Sequence, residues 1–168
     1  MLITTKLLES ISFKSEICNM ALIKMSSNFW SDLFKDDPVR PHLDTNFRLA
    51  ENRLNFILTP DHEELGAIVC VALTRKVPTT EKELEIFSLP DNLFTKEVAI
   101  FYTIWSYTKG SGKIILFDTV KWLKKRKPSI KRFVTMSPKT EMARKFHTKN
   151  GASELSINEH SVNFEYVI

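Results

Sequence analysis

AIFYTIWSYTKGSG, Ala99 to Gly112, runs from an apolar β-type stretch into a small-residue loop, and KIILFDTVKWLKK, Lys113 to Lys125, follows with helical spacing. Strand, glycine turn and helix in that order leave unpaired backbone N–H groups at a helix N-terminus, where the dipole also favours negative charge. The site suits an anion, and a phosphate is the most economical ligand. Ile115, Leu116, Val120 and Leu123 share one face of the helix. Lys121, Lys124, Lys125, Arg126 and Lys127 crowd its last turn before Pro128. Cations favour a helix C-terminus, so this run reads as a solvated helix end in preference to a nucleic-acid or nuclear-import element.

Upstream of this unit, NRLNFILT (52–59) and LGAIVCVAL (65–73) are rich in β-formers and flank the polar Pro60 to Glu64, which predicts a hairpin. The connection from Arg75 to Lys96 is long and carries Pro78 and Pro90, with room for one or two helical turns over Thr80 to Phe87. Before the hairpin, Ile17, Ala21, Leu22 and Met25 recur at helical intervals, so residues 1–50 read as a helical part that Asp36-Asp37-Pro38 and Arg40-Pro41 break. Downstream, Ile130 to Met136 reads as a strand. Ser137-Pro138 then reads as N-cap and first residue of a helix that stops at Asn150-Gly151. Two closing strands, Ala152 to Ile157 and Ser161 to Val167, flank Asn158-Glu159-His160.

Composition agrees with one soluble domain over 1–168. The chain has 168 residues, is 43 % hydrophobic and 26 % charged, and has no apolar run near the roughly 18 residues that a bilayer span needs. Lys6, Glu9, Lys14 and Glu16 interrupt any signal-peptide pattern, so a cytoplasmic protein is expected. Cys18 and Cys70 and four scattered histidines offer neither a disulfide scaffold nor a metal cluster. The net charge of +4 suits an anionic small ligand better than nucleic acid.

The element order and the loop together resemble the GNAT superfamily of acyl-CoA-dependent acyltransferases. That family writes its CoA pyrophosphate loop as Gln or Arg, two residues, Gly, one residue, then Gly or Ala. The corresponding frame is Tyr107, Thr108, Lys109, Gly110, Ser111, Gly112, with both glycine positions matched and Tyr107 in place of Gln or Arg. The resemblance implies an α/β (α+β) fold with a mostly antiparallel mixed sheet splayed at its middle strands and flanked by helices. It divides the chain into an acceptor-side part, 1–50, and a sheet and coenzyme-binding core, 52–168. It also implies acetyl-CoA or another acyl-CoA as co-substrate, no metal, and an amine acceptor on a small molecule, a protein lysine or a protein N-terminus. Coenzyme contacts are implied from Trp105 through Tyr107, Thr108, Lys109, Gly110, Ser111, Gly112 and Lys113, and at Asn150. The closing hairpin could pair across a homodimer.

ARKFHTKNGA, Ala143 to Ala152, is similar to the helix that closes against the thioester in that family, and puts His147 where the family carries the tyrosine that protonates the departing thiolate. A histidine can serve there, since its usual pKa of about 6.5 makes it acid or base near neutrality. Its other reading is a half-exposed helix histidine beside buried Phe146, without a partner visible in the sequence. Three patches look more narrowly like malonyl-CoA decarboxylases: AIFYTIWS, IKRFVTMSP, and FHTKNGASELSIN with VNFEY. The resemblance carries over His147 as catalytic, and a catalytic serine that falls at Thr103, with Ser106 as the other candidate. Amine transfer also needs a base, for which Glu97 at the strand start, or Glu83 or Glu85 before it, are candidates, and a main-chain N–H in Phe101 to Trp105 to polarise the carbonyl.

Overall fold

The computed structural model describes residues 12–14, 20–25, 28–60 and 64–168. Among these, nine strands form one sheet in the order β1(Ser12–Lys14), β2(Met20–Lys24), β3(Arg53–Pro60), β4(Ala67–Thr74), β5(Val98–Ser106), β6(Arg132–Thr135), β9(Ser161–Tyr166), β7(Ser137–Pro138), with β8(Ala152–Ile157) also paired to β9. All described pairings are antiparallel except β5 with β6. The helices are a 3-10 stretch, Asn28–Asp36, then α1(Thr45–Leu49), α2(Glu81–Ser88), α3(Ser111–Arg126) and α4(Glu141–Lys149). None of the described helices is long and apolar enough to cross a membrane.

Helices on both sides of the sheet explain why the central strands are apolar without alternation: every residue of β4 is buried. On one face Phe56, Val69, Val71, Ala99 and Phe101 meet Ile115, Leu116, Val120 and Leu123 of α3, so the predicted helix face is the buried one. On the other, Ile57, Ile68, Cys70, Ile100 and Tyr102 meet Leu33, Phe34 and Leu84 from the 3-10 stretch and α2. Burial drives the Cys70 thiol up to about 12, which leaves it an inert core group.

Two predicted elements are overturned. The segment Met20–Lys24 is a strand on the outer edge of β3, with Leu22 opposite Leu58, and Ser12–Lys14 pairs beyond it; the helical reading of this region fails there. A short apolar run fits either period, and the open edge of β3 decides it. Ile17, Cys18 and the N-terminal residues 1–11 lie outside the described residues, as does the side chain of Trp30. Ser137-Pro138 does not open α4 either. It pairs with β9, Ser137 opposite Val162, and Thr140 caps the helix by accepting from the Ala143 N–H at 3.2 Å.

The segment read as a helix breaker holds a buried ion pair. Arg48 and Asp37 are both fully buried at the side chain, with Nη2 to Oδ2 at 2.7 Å. Arg48 also donates to the carbonyls of Arg40 (2.6 Å) and Leu43 (3.0 Å). Asp37 Oδ1 accepts from the N–H groups of Val39 (2.8 Å) and Arg40 (3.0 Å) and from Thr103 Oγ1 (2.9 Å). Removing one partner leaves an uncompensated charge in the interior, so Arg48→Met should cost about 3–5 kcal/mol of unfolding free energy in urea titrations. An unchanged midpoint would show that the pair adds nothing.

Candidate functional site

β5 outlasts its parallel neighbour. Its last pair with β6 is Phe101 opposite Thr135, and the Met136 N–H still donates to the Phe101 carbonyl at 3.1 Å. Beyond that point β5 continues to Ser106, while the segment after β6 turns away to pair with β9 at Ser137. The divergence coincides with a bulge: Val71 faces Phe101 and Cys70 faces Thr103, so Tyr102 has no opposite residue on β4. A bulge bends and twists its strand. Arg40, buried and held at Nε by Glu81 (2.9 Å), donates through Nη1 to the Tyr102 carbonyl and so secures the extra residue. The bulge also shifts the side-chain alternation, so that Tyr102 and Trp105 share one face while Phe101 and Ile104 share the other.

The opening between β5 and the turn after β6 is a cavity of about 390 Å³. Val39, Trp105, Met136, Met142 and Phe146 give it an apolar wall, and Thr103, Ser106, Ser137 and His147 also line it. Among the described residues no Asp, Glu, Lys or Arg lines it. At its mouth stands the N-terminus of α3. Gly110 takes the left-handed conformation (φ 86°) that starts the helix, and Tyr107 and Thr108 donate their N–H groups to the Gly66 carbonyl at 2.8 and 3.2 Å, which moors the loop to the approach of β4. Ser111 Oγ is 2.5 Å from Thr108 Oγ1 and its N–H returns to the Thr108 carbonyl at 3.3 Å. Among the described residues, the N–H groups of Gly110, Gly112 and Lys113 have no such acceptor and remain available to an anion. Gly112 packs where a side chain would collide, since a Cβ there would stand 2.8 Å from Ser106 Oγ.

His147 is 5 % exposed and is held at both ring nitrogens: Nε2 lies 2.8 Å from Ser137 Oγ and Nδ1 2.9 Å from Tyr166 Oη. Its ring stacks on Phe164 at 5.0 Å and meets the edge of Phe146 at 5.1 Å. Burial pushes its pKa down to about 4 and pushes Tyr166 up. A neutral imidazole between two hydroxyls can accept a proton at one nitrogen while donating at the other.

The expected residues separate into three groups. Thr103, Trp105, Gly112 and His147 share the cavity, and Tyr107 to Lys113 form the loop at its mouth, with Lys109 and Lys113 exposed. Tyr107 serves as a strut: it accepts from Trp105 Nε1 (3.1 Å), donates to Asp36 Oδ2 (2.7 Å), and has its pKa raised to about 12 by burial. The carboxylates fall elsewhere. Glu97 is exposed before the first residue of β5, roughly 20 Å along the strand from Thr103. Glu83 binds the Thr79 N–H and hydroxyl at 2.8 Å, and Glu85 lies beside Arg53 on another surface. The Asn150 side chain donates to the Phe146 carbonyl at 2.8 Å and caps α4 outside the cavity. Ser137, Tyr166, Arg40 and the Asp37–Arg48 pair were missed. Tyr166 sits in the VNFEY patch already noted, Ser137 carried a false capping signal, and nothing local marks the buried ions.

A histidine neutral to about pH 4 makes folding tighter above the unfolded-state value near 6.5, and that advantage fades as pH falls from about 6.5 to about 4 because the unfolded chain takes up the proton first. Relative to His147→Gln, the parent should lose roughly 3 kcal/mol over that window, and the His147 ring signals should titrate near pH 4 by NMR. A midpoint near 6.5 would remove the burial effect.

No family model matches the sequence, and no curated protein matches it. Solved structures do. A malonyl-CoA decarboxylase from Agrobacterium vitis is similar at 20 % identity and TM-score 0.58 over 82 % of this chain and 39 % of its own. Arabidopsis thaliana NAA60 in complex with acetyl-CoA is similar at 15 % identity and TM-score 0.55 over 88 % of this chain and 99 % of its own. The N-acetyltransferase PseH of Campylobacter jejuni is similar at 10 % identity and TM-score 0.57 over 88 % and 97 %. The chain thus spans nearly the full length of these two acetyltransferases and well under half of the decarboxylase. The likeness over most of this chain shows that it has the fold of these acetyltransferases and of malonyl-CoA decarboxylase.

Proposed function

We propose that this protein binds an acyl-CoA thioester and is an acyltransferase, with the diphosphate on the N-terminus of α3 and the pantetheine arm and acyl group in the cleft beyond Phe101. The observation that carries this reading is the opening of β5 from β6 directly beside the unpaired N–H groups of Gly110, Gly112 and Lys113. An anion takes those donors and the helix dipole, with Lys109 and Lys113 nearby in solvent. The thioester then reaches an apolar pocket, where hydrogen bonds to a developing oxyanion are worth more than in water. N–H groups of β5 beyond its last pair with β6 are the donors for that oxyanion. His147 supplies proton transfer. Being neutral, it acts first as a base and returns the proton to the thiolate afterwards. The acceptor is an amine on a small molecule or on a protein.

Decarboxylation of malonyl-CoA is the second reading, and one observation favours it. The carboxylates that amine transfer would use lie outside the cavity, whereas loss of carbon dioxide needs no amine base. In that scheme His147 holds the enolate that forms, while the Thr103 hydroxyl is already committed to Asp37 Oδ1 at 2.9 Å.

Calorimetric titration with coenzyme A should release heat, and Lys109→Ala with Lys113→Ala should weaken binding about tenfold. Acetyl-CoA offered with a panel of amines should give free thiol and an acetylated product by mass spectrometry. Conversion of malonyl-CoA to acetyl-CoA without an amine would instead select the second reading, and a chain that binds no coenzyme at millimolar concentration would end both.

A further inference from the structure

Ser137 occupies a place that direct transfer does not use. It lines the cavity, yet its residue is only 6 % exposed, and its backbone is fixed by pairing opposite Val162 of β9. Its Oγ lies 2.8 Å from His147 Nε2 and 2.9 Å from Thr135 Oγ1. His147 in turn is oriented from behind by Tyr166 Oη at 2.9 Å and clamped between Phe164 and Phe146. A hydroxyl, a base within hydrogen-bond reach and a third group that orients the base make up the arrangement of an activated nucleophile. The cavity wall carries no Asp, Glu, Lys or Arg among the described residues, so a route that generates its nucleophile from Ser137 and His147 needs nothing further from the wall.

We propose that Ser137 is a covalent nucleophile, and that acyl groups pass from coenzyme A to its hydroxyl before they reach any acceptor. The proposal rests on the acyl-CoA reading of the cavity. Ser137 Oγ attacks the thioester carbonyl carbon as its proton moves to His147 Nε2, while Nδ1–H donates to Tyr166 Oη. The C–S bond then breaks with its electron pair on sulfur, and the imidazolium returns the proton to give the free thiol and an ester on Ser137. A water or an amine next attacks that ester and yields its proton to His147, which hands it to the departing Ser137 oxygen. The products are a free acid or an amide, and the hydroxyl is restored. At rest the Ser137 hydroxyl donates to Thr135 Oγ1 at 2.9 Å, and it turns to His147 Nε2, 2.8 Å away, to release its proton for the attack.

The test is to mix the purified protein with acetyl-CoA and no amine, and to follow free thiol and the intact protein mass after acid quench. A burst of thiol at one equivalent, with an acetyl group mapped to the peptide that holds Ser137, is the expected result. Ser137→Ala should lower thiol release by about 100-fold or more while calorimetric affinity for coenzyme A stays within about twofold, about 0.4 kcal/mol. Ser137→Cys should keep the adduct as a thioester. Tight coenzyme binding with no thiol release and no adduct would overturn the covalent route and leave the binding reading standing. Release from Ser137→Ala at the parent rate would also overturn it. A chain that fails to bind coenzyme at all refutes the underlying reading, and this proposal with it.

Discussion

Five residues of β5, Tyr102 to Ser106, run on after the strand has parted from β6. A parallel neighbour that ends at Thr135 leaves one edge of this stretch without a ladder, and such an edge inside a domain demands either a covering element or a ligand. The bulge at Tyr102 makes the parting stable, because an extra residue on one strand bends that strand away from its partner. Arg40 on the Tyr102 carbonyl and Thr103 on Asp37 then tie the bulge to the loop that precedes α1. The buried Asp37–Arg48 pair keeps that loop in place. Cavity shape is therefore set at a distance, by ions that never touch its contents.

The cavity is electrostatically divided. Its mouth offers backbone N–H groups and exposed lysines, which suits a diphosphate in contact with solvent. Its interior offers hydroxyls and a single neutral imidazole among apolar side chains. Burial accounts for both halves of that behaviour at His147: it withholds the charged state, and it strengthens the hydrogen bonds to Ser137 and Tyr166 that fix the ring. A carboxylate behind the ring would stabilise an imidazolium more strongly; a tyrosine hydroxyl orients the ring without adding charge.

The strand, glycine loop and helix from Ala99 to Arg126 are legible because one local pattern, a β-rich run followed by a left-handed glycine and a 3.6-residue apolar stripe, admits few alternatives. The hairpin of β3 and β4 and the closing pair β8 and β9 are legible for the same reason. Met20–Lys24 was not, since five apolar-rich residues satisfy either period and their pairing with β3 is a long-range event. Ser137-Pro138 misleads in the opposite way: its local chemistry is that of a helix start, but the edge of β9 binds it first, and Thr140 provides the cap instead.

Of the candidate site, the glycine loop and His147 could be named from residue types and from the patches that surround them. The carboxylate bases could not be ruled in or out, because exposure of Glu97 and its distance from Thr103 are facts of strand direction. Sequence alone determined where a glycine turn would open a helix, which follows from local spacing, and it singled out His147 through the resemblance of the patch around it. Only the tertiary structure decided that Ser137, His147 and Tyr166 form one hydrogen-bonded row, and that Asp37, Arg40 and Arg48 hold the wall. The ties from Arg40 to Tyr102 and from Asp37 to Thr103 join stretches 62 and 66 residues apart, and no local pattern of charge or hydropathy encodes a meeting that the sheet itself creates.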